Sequence, residues 1–104
     1  MKLKTFLFLQ RQAPLAAGPE AFDLALTAAV FDQEVRLMLL DDGVYWLLAG
    51  LPELVRESVE TIAVERQSLE ERGLADLALP AFVSIEDRAA LPGLIAAADL
   101  VVGG

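Results

Sequence analysis

The sequence predicts an α/β domain: a mostly parallel sheet with helices on both of its faces. Three observations carry this reading. Residues 3–9 are mainly apolar, rich in Phe and Leu, as suits a strand buried on both faces. An amphipathic stripe follows, with Phe22, Ala25, Leu26, Ala29 and Val30 at i, i+3, i+4, i+7 and i+8. Beyond it, short apolar runs alternate with helical stripes to the end of the chain, the rhythm of a parallel sheet built through crossover helices.

Taken in order, the first strand ends at the polar loop 10–18. The helix over 19–31 is expected to open at Pro19, whose missing N–H is harmless there, with Glu20 and Asp23 in its first turn. Val35 to Leu40 reads as a second strand, stopped by Asp41-Asp42-Gly43. Val44, Leu47, Leu48 and Leu51 then recur at helical spacing, with Asp42 the expected N-cap, and Pro52 opens a further turn through Glu57. Residues 53–72 admit two readings. Propensity favours one long helix, whereas Thr61-Ile62-Ala63-Val64 has the look of a strand, and Ser68-Leu69-Glu70-Glu71 that of a capping box opening a short helix closed by Gly73. Ala81 to Ile85 forms another strand. A stripe of Leu91, Leu94, Ile95 and Ala98 forms the last helix, and Asp99 to Val102 the last strand.

The 104 residues suit one domain spanning 1–104, and 56% hydrophobic content supports a sizeable core. Its formal charge of −8, with six Arg and two Lys scattered along the chain, opposes direct binding of nucleic acid. With no Cys and no His, the chain has no thiol nucleophile, thiolate metal site or imidazole base. No cofactor or metal is expected. The apolar start is short and is interrupted by Gln10-Arg11-Gln12, and no run approaches the ~18 apolar residues of a membrane span, so a cytoplasmic location is expected.

An apolar strand ending in Asp42-Gly43-Val44, a later run into Ser68-Leu69-Glu70-Glu71-Arg72-Gly73-Leu74, a Phe82-Val83 strand and a terminal Asp99-Leu100-Val101-Val102 occur in one order. From Leu3 to Val102 the chain resembles the DsrE/DsrF-like proteins, specifically the TusC/DsrF branch. The resemblance implies a five-stranded, flavodoxin-like, three-layer fold with residues 60–65 as a strand. It also implies trimers or hexamers, of this chain alone or with DsrE/TusD-like paralogues. Members pass sulfur as a cysteine persulfide in sulfur oxidation or tRNA thiolation, and this branch generally accompanies the subunit with the essential thiol. In active relatives that cysteine lies eight residues before the glycine matching Gly73. Here the position is Glu65, so the resemblance implies a subunit without catalysis of its own.

In a parallel sheet, functional groups gather where strands end, here at 10–18, 41–43, 65–68 and 86–88. Glu65, Arg66 and Gln67 are the candidate degenerate site, which either shapes a partner's pocket, binds a small ligand or is merely a solvated Glu–Arg pair. Asp41-Asp42 is weighed as a hard-cation site against a cap and turn. Loop 10–18 lacks a phosphate-cradling glycine pattern. Gly103-Gly104 raises the remoter alternative of a diglycine sulfur carrier. Val44, Tyr45 and Trp46 are expected at a subunit contact, because Trp46 points roughly 200° from Val44 around a helix at about 100° per residue.

Overall fold

The computed structural model describes residues 4–18 and 20–103. Five strands form one sheet: β1 (Thr5–Gln10), β2 (Glu34–Leu39), β3 (Thr61–Glu65), β4 (Val83–Glu86) and β5 (Leu100–Val102), in the order β4-β3-β2-β1-β5. Every pairing is parallel. The helices are α1 (Pro14–Ala17), α2 (Asp23–Val30), α3 (Trp46–Ala49), α4 (Glu53–Ser58), α5 (Arg66–Glu71) and α6 (Leu91–Ala97).

The two-sided apolarity of β1 has a direct cause. Phe8, with Phe6 beside it, joins a core that contains Ala25 of α2, Trp46 of α3, Val55 of α4 and Leu69 of α5. Leu7 and Leu9 join a second, smaller core with Met38, Leu40 and Ala63, against which Leu91 and Leu94 of α6 pack. Helices therefore cover both faces, unequally. β1 and the edge strand β5 are held together at their entry by a clasp: the Thr5 amide donates to Asp99 Oδ2 at 2.7 Å, and the Asp99 amide donates to the Thr5 carbonyl at 2.8 Å.

Residues 53–72 do not form one helix. Val59 and Glu60 break it, and Thr61 to Val64 pair with Arg36 to Leu39. Burying Ile62, Ala63 and Val64 between two layers outweighs the helical propensity of the Glu- and Arg-rich flanks. Gly73 does close α5, at φ +70°, with the Leu74 amide donating to Leu69 and the Gly73 amide to Glu70, a Schellman closure.

Several expectations need correction. The second helix runs over Asp23–Val30, shorter than 19–31; its opening at Pro19 lies outside the described residues. Loop 10–18 contains the unforeseen α1, with Pro14 in its first turn. Of the expected stripe, Phe22 and Ala25 are buried and Leu26 and Ala29 pack against the core, but Val30 is 81% exposed and Ala28 is buried in addition, because α2 ends there and is apolar around much of its circumference. Asp42 caps no helix. Residues 41–45 form a 3₁₀ turn ahead of α3, and the carboxylate of Asp42 pairs with Arg72. The capping box is also displaced: α5 starts at Arg66, and the hydroxyl of Ser68 turns back toward Glu65.

The exposed second face inferred for Trp46 is absent. Trp46 is 8% exposed, its ring meets Phe22 edge-on with centroids 4.8 Å apart, and its Nε1 donates to the Gln12 carbonyl at 3.1 Å. Val44 is fully buried and Tyr45 half-buried. The inference assumed one regular helix against one sheet. The chain instead changes from 3₁₀ to α geometry at Trp46, and α2 lies across it, so the second face meets this chain's own core.

Candidate functional site

The site is built where β1, β2, β3 and β4 end. Parallel strands place their carboxyl ends on one edge, where Glu65 ends β3 and the segments leaving β1, β2 and β4 carry Arg11, Asp41 and Arg88. Gly43 lets these loops come together: a Cβ there would run into the carbonyl of Gln10. The turn at Asp41 has φ +51°, a conformation Asp tolerates better than most residues, and its amide points at Ser68.

Glu65 is the centre. It is the last residue of β3, and only 3% exposed. Its Oε1 accepts from the Ser68 hydroxyl at 2.6 Å and from Arg88 Nη2 at 2.9 Å. Arg88 in turn places both terminal nitrogens on Glu71, at 3.1 and 3.0 Å. On the other side Ser68 Oγ accepts the Asp41 amide at 2.8 Å, and Asp41 Oδ2 accepts from Arg11 at 2.7 Å. The result is a chain of polar contacts spanning four strand ends.

Its electrostatics follow from that geometry. Burial by itself pushes the Glu65 carboxyl upward, but the donors of Arg88 and Ser68 outweigh it and hold the group below its ordinary value. Hydrogen bonds to Glu65 and then Glu71 raise Arg88 further, so that ion pair is permanent at any physiological pH. Asp87 is lowered by the Ala89 amide and then by Gln67.

Of the expected triad, Glu65 and Gln67 are brought together with β4, while Arg66 is exposed and stands outside the polar chain. Gln67 Nε2 donates to Asp87 at 3.0 Å and its Oε1 accepts the Arg88 amide at 2.8 Å, fixing the loop that presents Arg88. The solvated Glu65–Arg66 pair is not formed; the partner is Arg88, 23 residues away. Ser68 and Glu71 are read from sequence as a capping box and not as partners in this site, and Arg88 is not singled out. Arg88 sits in the strand-end window 86–88, which was the available signal. Asp41 and Asp42 are each paired to an arginine, Arg11 and Arg72. Among the described residues no three acidic side chains are grouped to hold a metal ion. Gly103 packs so closely on Leu9 that a Cβ would meet its carbonyl, which gives this glycine a steric reason apart from any carrier tail.

The profile of the DsrE/DsrF-like family matches residues 2–102. The chain belongs to this family. The DsrE/DsrF-like assignment agrees with its relatives. It is 34% identical to a Protein TusC homolog of Pseudomonas aeruginosa, with 95% of this chain and 97% of that protein aligned. It is likewise 34% identical to the intracellular sulfur oxidation protein DsrF of Allochromatium vinosum, over 93% of this chain and 85% of that one. The fold is similar to the crystal structure of the ychN protein from E. coli, with TM-score 0.69 at 21% identity over 95% of this chain and 97% of that one. Among the described residues no helix of this DsrE/DsrF-like chain is long and apolar enough to cross a membrane.

Proposed function

We propose that this chain is a subunit of a sulfur-relay assembly that shapes the assembly and does not itself carry sulfur. The class of function is supported by its likeness to TusC homologues and to DsrF. The absence of transfer is supported by one observation: a buried carboxylate, that of Glu65, fills the position where sulfur-carrying relatives are expected to have their thiol. A carboxylate has no sulfur with which to attack the outer atom of a persulfide, and its charge repels an approaching thiolate. In this reading the Oε1 atom of Glu65 is engaged by Ser68 and Arg88, which favours a structural role over that of a ligand-binding group.

Partners in this reading are DsrE/TusD-like paralogues that retain the cysteine, in a trimer or hexamer in the cytoplasm. With Trp46 internal, we assign the contact to Leu48, Leu54 and Phe82, which stay about half exposed. The test has two arms. After incubation with a persulfide donor, the intact mass of the protein should not change, while Glu65→Cys should gain sulfur. Mixed with a cysteine-bearing paralogue, the wild type should co-elute with it. Covalent uptake by the wild type, or failure of a folded Glu65→Cys to load, would defeat the reading.

A further inference from the structure

A second crevice lies away from Glu65, where the strand order reverses. The chain leaves β1 over the α2 face to reach β2, and returns over the α6 face to reach β5, on the other side of β1. In open α/β sheets, ligands bind outside the carboxyl ends of the strands at such a reversal. A cavity of about 150 Å³ occupies this place between the ends of β1 and β5, walled by Phe22 and by Ala25 of α2 and bounded by Val102 and Gly103. That volume accepts a group about the size of benzene.

One polar side chain in it is unexplained. Strand alternation puts Gln10 on the same face as Phe6 and Phe8, and Gln10 lines the cavity. Its Nε2 is buried with no hydrogen-bond partner among the described residues. Folded chains satisfy nearly all such donors, and the exceptions call for a reason. The cavity shares Phe8, Leu24 and Val102 with an apolar groove of about 410 Å³ that runs back along β1 and β5 past Phe6, Leu100 and the exposed ring of Phe31. Glu20 is the ionisable side chain at the cavity, Lys4 lines the groove rather than the cavity, and the chain as a whole carries −8, so an anionic head beside Gln10 is disfavoured.

We propose that this crevice binds a small uncharged amphiphile, with a hydrogen-bond acceptor on Gln10 Nε2 and an apolar tail in the groove beside Phe6 and Phe31. The site is separate from Glu65 and does not depend on the sulfur-relay reading.

The test uses a homologous series of methyl ketones: butanone, then those with one and two further methylenes. Each is titrated into ¹⁵N-labelled wild type, following the side-chain amide of Gln10 and the backbone amides of Ala21, Val102 and Gly103. Saturable shifts at these positions are expected, with affinity rising roughly three- to fourfold per methylene. Gln10→Met keeps the length and removes the donor. It should bind the longest ketone about fivefold more weakly. It should also unfold at the same or a higher temperature, since an unsatisfied donor has gone. The proposal is overturned by an absence of saturable shifts, by affinity independent of tail length, or by unchanged binding in Gln10→Met. A folded Gln10→Met of clearly lower stability overturns it too, because Gln10 would then have been satisfied without a ligand. Should Gln10→Met not fold, the wild-type series decides alone.

Discussion

Ser68 Oγ donates its proton to Glu65 Oε1 across 2.6 Å and itself accepts the amide of Asp41 at 2.8 Å. One atom thus joins the end of β2 to the end of β3. Ser68 is fully buried and Glu65 nearly so, so removing the hydroxyl takes a partner from a carboxylate with little access to water. Ser68→Ala should lower unfolding free energy by about 1–3 kcal/mol in urea, the range for stranding a buried polar partner. A loss within measurement error would mean that the hydroxyl bridge is not maintained in solution.

The Glu65 carboxylate gives the fold a pH signature. Its folded-state pKa lies below the ordinary 4.5, so the stability it contributes is complete above that value and is lost as pH falls through the lower folded one. Glu65→Gln should be less stable than wild type by about 1 kcal/mol near neutral pH. Thermal melts in acid should show the two proteins converging. A gap that widened on acidification would reverse the sign assigned to Glu65.

A thiol at this position inherits donors already in place. In Glu65→Cys, the Ser68 hydroxyl and the Arg88 guanidinium favour the thiolate, so its pKa should fall below the ordinary value of about 8.5. Ultraviolet absorbance of the thiolate against pH reads this directly. Adding Arg88→Met should move the pKa back up; an equal pKa with and without Arg88 would show that Arg88 does not reach the new side chain.

Trp46 is a core residue by its contacts with Phe22 and Gln12. Trp46→Ala should cost about 3–5 kcal/mol, as large-to-small changes in packed aromatic sites do. Trp46→Glu should lose the cooperative melt altogether. Retention of a wild-type melt together with elution as a smaller species, at a larger elution volume, would return Trp46 to a subunit contact.

Two glycines should respond oppositely to the same change. Gly43→Ala drives a Cβ into the Gln10 carbonyl and should destabilise by about 3 kcal/mol or more. Gly93, inside α6, has open space where its Cβ would stand, so Gly93→Ala should stabilise by about 0.5–1 kcal/mol. Chemical denaturation of both variants checks the pair.

The sheet was legible because burial on two faces leaves a direct mark in β1 and β2, where apolar side chains occupy both alternating sets. The strand-end windows were legible for a topological reason: parallel strands point their carboxyl ends one way. What failed were inferences needing side-chain direction. Ser68 with Glu71 mimics a capping box, but the spacing that matters runs backward, from Ser68 to Glu65. The partner of Glu65 is set by the pairing of β3 with β4, and nothing local to Glu65 encodes an arginine 23 residues on. Trp46 misled because a wheel drawn at 100° per residue has no place for a 3₁₀ turn. The stripe on α2 placed Phe22, Ala25, Leu26 and Ala29 correctly and misplaced only Val30, for want of contrast with Leu24 and Phe31, which are as apolar and stay exposed.

The pairing of β1 with β5 bears on how the chain acquires its shape during synthesis. β1 is made before the other four strands, yet one of its edges is satisfied only by Leu100, Val101 and Val102. While the intervening residues are translated, the backbone of Phe6 to Phe8 presents an open edge with large apolar rings beside it, a template for a wrong neighbour. Closing that edge joins segments about ninety residues apart, the kind of contact that slows folding because the loop entropy must be met first. The nascent chain is therefore most exposed to mispairing just before its last strand emerges, and a variant lacking Leu100 to Val102 would stay in that condition.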